Sequence, residues 1–286
     1  MKIVTDCAAD MTPEEIESLG IAVAPLFITF PEGQINSDDI SRDDFYNRLK
    51  AMVPEVPSTA LPSPGVFADI YKKLAKLGDE ILSIHISSGL SGTINSARLG
   101  SQQVHGAVVH VVDTLTLSGG ERFQVLAAAW AVKAGWGKDK ILKMLGQIQE
   151  STEIIYTLET LSYLARGGRI GRVQALAGSV LGLKPIIHVD QKDGKYSTVG
   201  KTRTIPRAIS DISEYLKNKY EDKAVWVSVL HGQYEDQAHE LSDALQKSLN
   251  IKKFELLRIS PVLGVHTGPG IVGAGVVPVA ALEGLI

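Results

Sequence analysis

The stretch from Ile81 to Ala97 limits the possible folds of this chain more than any other. Residues 81–86 are apolar and partly β-branched, which predicts a buried strand. A loop of Ser, Gly and Thr follows at 87–93, and residues 95–103 have the recurring Ala and Leu of a helix. Such a loop brings free backbone N–H groups and the positive end of the helix dipole together. The pattern predicts either an anion site or an ordinary turn that caps its own helix.

The order of the other predicted elements indicates an α/β fold. Up to about residue 150, helices alternate with predicted strands at 3–6, 23–30, 81–86 and 108–112. Thr12 and Ser41 are the predicted N-caps of the first two helices. This alternation predicts a mostly parallel sheet with right-handed crossovers. After residue 153 the order is less regular, and Asp193-Gly194 predicts a hairpin. We therefore expect two α/β domains, residues 1–155 and 156–286, which pack tightly because no Gly- or Ser-rich linker separates them.

The composition excludes several classes of protein. The net charge is −3, and no basic stripe with stacking aromatic residues suggests nucleic-acid binding. The single cysteine, Cys7, excludes an intramolecular disulfide and is consistent with a reducing cytoplasm. No run approaches the roughly 18 apolar residues of a membrane span, and the first residues lack the apolar core of a signal peptide. The sequence predicts a cytoplasmic protein without stable membrane insertion.

Motifs for enzymatic chemistry are incomplete. Residues 89–93 resemble a nucleophile elbow, but the fifth position is Thr93 instead of glycine. A hydrolase or kinase-like enzyme that uses Ser91 and His266 stays open as an alternative. The glycines at 268–273 match a dinucleotide-binding pattern by letter, yet an apolar β-like run follows them instead of a helix. The seven histidines show no metal-ligand spacing, so we expect no metal site.

Three hydroxyl-rich segments are the best candidates for a binding site. They are Pro57-Ser58-Thr59, the loop at 88–93, and His266-Thr267-Gly268. Each follows or connects predicted strands, and ligands of open α/β sheets lie beyond the carboxyl ends of the strands. Their hydroxyl groups could converge on one anionic head group. Because no metal or carboxylate pair accompanies them, the segments favour holding an anion over attacking one.

Four motifs resemble the DegV family of bacterial fatty-acid-binding proteins, and the likeness extends over residues 3–284. They are Val4-Thr5-Asp6 with Asp10, Ser87-Ser88-Gly89-Leu90-Ser91-Gly92-Thr93, the Gly167-Gly168-Arg169-Ile170 turn, and His266-Thr267-Gly268-Pro269-Gly270. Two positions depart from the family pattern. Many members have Ser-Gln where this chain has Ala60-Leu61, and many have Ser in place of Cys7.

The resemblance implies two α/β domains with one long-chain, palmitate-like fatty acid between them. It implies that Thr59 and Ser91 hold the carboxylate and that the rest of the binding site lies close by. Those further residues are Ser88, Gly92, Thr93, His266 and Thr267. It also implies a lipid carrier that needs no cofactor, catalyses nothing alone, and presents the acid to a separate ATP-dependent acyl kinase. The acyl phosphate would then enter phospholipid synthesis.

Basic residues after position 160 are the candidates for the partner-facing surface. Arg169 and Arg172 lie in and after the Gly-Gly-Arg-Ile turn, and Arg203 and Arg207 follow about thirty residues later. The resemblance implies that they meet the kinase near the mouth of the pocket, where they would attract an acidic partner or ATP phosphates. The alternative interpretation is two solvated basic turns. Asp6 and Cys7, at the end of the first strand, are predicted to shape the pocket rim structurally.

Overall fold

The computed structural model describes residues 1–74, 79–174 and 182–286. The strands are β1 (Lys2–Asp6), β2 (Ala22–Ala24), β3 (Phe27–Phe30), β4 (Gly33–Asn36), β5 (Ser58–Ala60), β6 (Glu80–His85), β7 (Val108–Asp113), β8 (Glu153–Leu158), β9 (Lys184–Asp190), β10 (Lys195–Thr202), β11 (Ala224–His231), β12 (Asn250–Arg258) and β13 (Ile271–Pro278). The helices are α1 (Pro13–Leu19), α2 (Arg42–Ala51), α3 (Pro64–Leu74), α4 (Thr93–Ser101), α5 (Ser118–Lys133), α6 (Lys138–Ser151), α7 (Ser162–Arg166), α8 (Ile205–Tyr220), α9 (Glu235–Ser248) and α10 (Pro261–Thr267). The sequence predicts that α3 runs to about Leu77, which lies outside the described residues.

The predicted parallel sheet is confirmed. Its strand order is β2-β1-β6-β7, and all three pairings are parallel. Local signals start its helices as expected: the Thr12 hydroxyl accepts from the Glu15 N–H to cap α1, and the Ser41 hydroxyl accepts from the Asp44 N–H to cap α2. The carboxyl ends of β1 and β6 therefore lie side by side at one edge of the sheet.

The predicted single strand at 23–30 is wrong. Pro25 lacks an N–H and fixes its φ angle, so it separates β2 in the parallel sheet from β3 in a different one. That second sheet is small and antiparallel, with the order β4-β3-β5. Its third strand, β5, lies in the segment 54–64 that the sequence predicts to be a loop, and Thr59 pairs with Ile28 there.

A six-stranded mixed sheet forms from the later part of the chain, in the order β10-β9-β8-β13-β11-β12. The predicted hairpin at Asp193-Gly194 is confirmed, since β9 and β10 are antiparallel neighbours. Residues 261–267, for which the sequence predicts no helix, form helix α10. Strand β8 begins at Glu153, next to the predicted domain boundary at 155, and the division itself stays a prediction.

Helix α5 is the shared core element between the two large sheets. Residues 118–129 of this helix are all buried, and the helix contacts β1 and β6 of one sheet and β13 of the other. Gly275 of β13 faces this helix: a Cβ there would lie 3.4 Å from Phe123 Cε2 and 3.6 Å from the Gly119 carbonyl carbon, both in α5. Arg122 of α5 pairs with Glu15 of α1 and Glu255 of β12, which ties the outer elements together. Helices α8 and α9 cover the opposite face of the six-stranded sheet.

Candidate functional site

A cavity of about 300 Å³ lies where the small sheet, the loop before α4 and helix α10 meet. Its lining is mostly apolar, with polar groups at a few points. The lining residues are Leu26, Thr59, Ala60, Leu61, Ile86, Leu90, Ser91, Arg169, Tyr196, Val262, Leu263 and His266. Residues from both predicted domains line the cavity, so it forms only when the chain folds. An apolar cavity of this size with a few converging polar groups is typical of a small-molecule site.

Thr59 and His266 form the polar centre of the cavity. The Thr59 Oγ1 lies 2.9 Å from the His266 Nε2, although the two residues are 207 positions apart. Burial, and then the charge of Arg169, lower the pKa of His266 to about 4. The imidazole is therefore neutral at neutral pH. Its Nδ1 lies against Gly167, where any Cβ would overlap the ring.

Ser91 lines the same cavity. Its Oγ lies 2.8 Å from the Thr93 Oγ1 and accepts from the Thr93 N–H at 3.3 Å. Thr93 itself is fully buried beneath the loop and does not line the cavity. Gly92 is the N-cap of α4 and has no side chain to cap it. Ser88 is exposed, and its N–H donates to Asp113 Oδ1, so its hydroxyl does not line the cavity either.

The Ser/Gly loop (residues 87–93) is attached to the β9–β10 hairpin. The Ser87 hydroxyl donates to the Gly194 carbonyl at 2.8 Å and accepts from the Gly89 N–H at 3.0 Å. A Cβ at Gly89 would lie 2.7 Å from the Gly194 carbonyl oxygen, so only glycine allows this approach. The hairpin thereby positions Leu90 and Ser91, which follow directly and line the cavity.

Arg169 is the one charged residue in the cavity wall, among the residues that the structure describes. Its Nη1 donates to the Gly167 carbonyl at 2.7 Å, and its charge lowers the pKa of His266. The sequence predicts Arg169 to face a protein partner; the structure puts it within reach of the ligand site. The Thr267 hydroxyl donates to the Leu263 carbonyl, and Thr267 lines a separate cavity deeper in the protein.

The other predicted partner-facing arginines lie in two places. Arg172 pairs with Asp193, with 2.5 Å between Nη2 and Oδ2, and lines an open groove beside the cavity together with Arg169 and Lys195. Arg203 and Arg207 are exposed just beyond the opposite end of β10. Since Tyr196 near the start of β10 lines the cavity, Arg203 lies roughly 20 Å from it along the strand, and Arg207 follows in the first turn of α8. The cluster around Arg169 and the cluster around Arg203 therefore do not lie at the same opening of the cavity.

Asp6 and Cys7 each hold one residue of the cavity wall in place. Asp6 is buried, and its Oδ2 accepts from the Ile86 N–H at 3.1 Å. Cys7 is buried, and its Sγ accepts from the Leu26 N–H at 3.4 Å. Burial, reinforced by the nearby carboxylates of Asp38 and Asp6, raises the pKa of the Cys7 thiol. The thiol is thus protonated and packs as a small apolar group.

A second hydrogen-bond network contains the residue types of a catalytic triad, but it is closed to solvent. Ser83 Oγ lies 2.6 Å from His85 Nε2, and His85 Nδ1 lies 3.0 Å from Asp6 Oδ2. All three side chains are 0% exposed. The Tyr71 hydroxyl is the last member of this network and lies 2.8 Å from Ser83 Oγ. A substrate cannot reach this serine, so the network fixes β6 against β1 and α3.

A smaller cavity of about 20 Å³ lies behind Tyr196 and Leu263, which line both cavities. Its walls are almost wholly apolar and come from α5, β8, α10 and β13. In the described residues no group of three or more His, Cys, Asp and Glu side chains is arranged to hold a metal ion. None of the described helices combines the length and the apolar character that crossing a bilayer requires.

Comparison with known proteins extends over the whole chain. The model of the "Uncharacterised protein, DegV family" matches residues 1–279. A DegV domain-containing protein of Deinococcus radiodurans is 35% identical over 288 aligned positions, which cover 98% of this chain and 99% of the relative.

Solved structures agree in fold. A DegV family protein of Thermus thermophilus, described for its fatty acid binding, is 29% identical, with a TM-score of 0.91 over 97% of this chain and 99% of its own. A stearic-acid-binding protein of Eubacterium ventriosum is 28% identical, with a TM-score of 0.88 over 99% of each chain. The family model and the relative each cover nearly the whole chain, and on these grounds the chain belongs to the DegV family.

Proposed function

We propose that this protein binds one long-chain fatty acid in the cavity and catalyses no reaction on it. The observation that carries the proposal is the polar cluster of Thr59, Ser91, His266 and Arg169 in an otherwise apolar wall. Solved members of the same family that bind fatty acids support it. No cofactor is needed for this role.

The polar cluster suits a carboxylate. An ionised carboxylate cannot be buried unless donors replace its water shell. Arg169 supplies a positive charge, and the hydroxyls of Thr59 and Ser91 supply O–H donors. Hydrogen bonds to a charged group are about twice as strong as neutral ones. The neutral ring of His266 orients Thr59 without placing a second cation beside Arg169.

The apolar lining suits an acyl tail. Each buried methylene contributes about 0.8 kcal/mol, so a C16 chain gains on the order of 12 kcal/mol before the costs of ordering and desolvation. The tail would run from the head group past Leu263 and Tyr196 toward the second cavity. Because that cavity is small, the side chains around it must move apart to admit a long chain.

The contacts within the polar cluster favour binding over hydrolysis. A serine hydrolase needs its nucleophile hydrogen-bonded to its base. Here the Ser91 hydroxyl pairs with Thr93, and the His266 Nε2 pairs with Thr59. Ser91 and His266, the pair that a hydrolase would need, are thus each hydrogen-bonded to a different residue.

The test is extraction of purified protein with organic solvent, followed by mass spectrometry. We expect near-stoichiometric fatty acid from the wild type and a sharp fall when Thr59→Ala and Ser91→Ala are combined, since each loses a charge-assisted hydrogen bond worth about 1.5–3 kcal/mol. Ser88→Ala is the matched control, because it removes an exposed hydroxyl of the same loop. Full loading of the double variant would refute the head-group assignment.

We propose further that the bound acid is presented to a separate ATP-dependent acyl kinase in the cytoplasm, for acyl-phosphate formation and phospholipid synthesis. The open groove beside the cavity supports this proposal, since Arg169, Arg172 and Lys195 line it next to Leu90. Basic side chains there would attract an acidic surface or phosphate groups.

Steady-state turnover with a cognate kinase tests the presentation step. We expect Arg172→Ala to slow turnover while lipid loading is kept, and Arg203→Ala to slow it if the far end of β10 is also part of the interface. Lys252→Ala is the control, since Lys252 is exposed on β12, the opposite edge strand of the same sheet. Equal rates for all three variants at low salt would remove these arginines from any interface.

A further inference from the structure

Two side chains divide the apolar interior next to the head-group site. Among the residues that the structure describes, Tyr196 and Leu263 are the two that line both the first cavity and the smaller one behind it. They are 5% and 7% exposed. The space in front of them is about 300 Å³, and the space behind them is about 20 Å³. Tyr196 and Leu263 therefore form a partition across the path that an acyl tail would take.

Tyr196 is the fixed half of the partition. It lies on β10, and its ring meets that of Tyr156 on β8 edge to face, with 5.9 Å between centroids and 87° between planes. Tyr156 is itself packed against β13, since a Cβ at Gly273 would come within 2.3 Å of the Tyr156 Cβ. The six-stranded sheet therefore supports the Tyr196 ring from the side of the second cavity.

Leu263 is the movable half of the partition. The backbone of its helix, α10, is held by close packing, because a Cβ at Gly264 would lie 2.5 Å from Phe45 Cε1. The Leu263 carbonyl accepts from the Thr267 hydroxyl at 3.1 Å, and the Leu263 N–H donates to the Ser260 carbonyl at 3.1 Å. The side chain can still change between staggered rotamers while this backbone stays in place. Its isobutyl group is therefore the part of the wall that a passing tail would displace.

The space behind the partition suits the end of an acyl tail. Much of its wall is apolar, including Leu117, Ile154, Leu230 and Ile271. A volume of about 20 Å³ holds roughly one group of the size of a water molecule or a methylene. A tail that ends in front of the partition thus fits the protein as it stands, whereas a longer tail requires the Leu263 side chain to move.

We propose that Leu263 is a specificity residue that determines how acyl chain length affects affinity, with Tyr196 as the wall against which it closes. This inference rests on the proposed function and deepens it. Up to the partition, each further methylene enters space that is already open and strengthens binding about fourfold. At the partition the next methylene must displace the Leu263 side chain, so the gain per carbon falls there and resumes in the opened space.

Equilibrium binding of saturated fatty acids, from octanoate to stearate, to protein stripped of lipid tests the proposal. We expect the wild-type affinity to rise with chain length, to show one break where the tail reaches Leu263, and then to rise again. In Leu263→Ala the break should disappear. The affinity for stearate, relative to that for the longest acid before the break, should increase about tenfold, because about two methylene groups that displace Leu263 in the wild type enter free space in the variant.

Val262→Ala is the matched control. Val262 precedes Leu263 on the same helix and lines the first cavity but not the second. Its truncation should therefore change the affinity for acids on both sides of the break by the same factor and leave the break in place.

The outcomes separate the two proposals. If wild type binds none of these acids, the proposed function fails. If the acids bind but affinity rises by the same factor at every step, the inference about Leu263 is overturned. It is also overturned if Leu263→Ala keeps the break or if Val262→Ala removes it. If Leu263→Ala does not fold, as judged by circular dichroism, Leu263→Met decides: this side chain has a similar volume but is unbranched and flexible, so the break should become shallower, and an unchanged break overturns the inference.

Discussion

Acid should destabilise the ligand-free protein through His266. The unfolded chain takes up a proton on this ring near the ordinary pKa of 6.5, whereas the folded protein takes it up only at about 4, chiefly because the ring is buried. Between these values the unfolded state binds more protons, so stability rises with pH there. The contribution is complete above about pH 6.5 and is lost as the pH falls toward 4.

The size of this effect follows from the depressed pKa. Each unit of difference between the folded and unfolded pKa corresponds to about 1.4 kcal/mol, so the change from 6.5 to about 4 amounts to about 3.5 kcal/mol, of which about 3 kcal/mol is lost by pH 4. The variant His266→Gln has no group that titrates in this range, and its side-chain amide can still hydrogen-bond to the Thr59 hydroxyl. Carboxylates that titrate in both proteins cancel in the comparison.

The assay is urea unfolding of both proteins at a series of pH values between about 7 and 4. We expect the wild type to lose about 3 kcal/mol relative to His266→Gln across this range. Saturating stearate should reduce the loss, because a carboxylate beside the ring favours its protonated form and raises its pKa.

Two results would refute the reasoning. If wild type and His266→Gln lose stability in parallel, the ring is not held neutral by burial in the folded protein. If the loss is the same with and without stearate, the carboxylate does not lie beside His266, and the head group must be bound elsewhere. The second result would not contradict the proposal that the protein binds a fatty acid.

Two substitutions in the cavity wall test its packing. Gly89→Ala should destabilise the protein by about 1–3 kcal/mol and lower lipid loading, because its Cβ would collide with the β9–β10 hairpin. The control Gly146→Ala, in open space on α6, should be neutral or stabilising by up to about 1 kcal/mol. Thermal unfolding and lipid extraction would measure both variants, and equal melting temperatures would contradict the collision. Cys7→Ser should leave lipid loading nearly unchanged, and the buried thiol should react slowly with thiol reagents, so rapid modification that lipid blocks would indicate a functional thiol.

Local signals in the sequence were enough to predict much of the fold. Thr12 and Ser41 cap their helices with their own hydroxyls, and Asp193-Gly194 turns a hairpin, because each signal acts over two to four residues. The alternation of strands and helices in the first half likewise predicts the parallel sheet. The hydroxyl-rich segments were recognisable for the same reason, and each of the three supplies at least one residue that lines the cavity.

Other features depended on neighbours that are distant in the chain. Pro25 divides the apolar run at 23–30 between two sheets, and the sequence pattern does not show which partner strand each half will find. The short strand β5 forms because β3 pairs with it. Helix α10 is likewise absent from the sequence prediction, since Pro261–Thr267 is short and includes Pro261 and Gly264.

The site itself was decided by the tertiary structure. Thr59 meets His266 across 207 positions, and Arg169 reaches the same cavity from the turn after α7. The low pKa of His266 arises from exclusion of water where α10 packs against Gly167 and against Thr59 of β5. A sequence specifies which groups can donate, accept or carry charge, but desolvation and pairing are properties of the folded surroundings, and those surroundings determine how each group behaves.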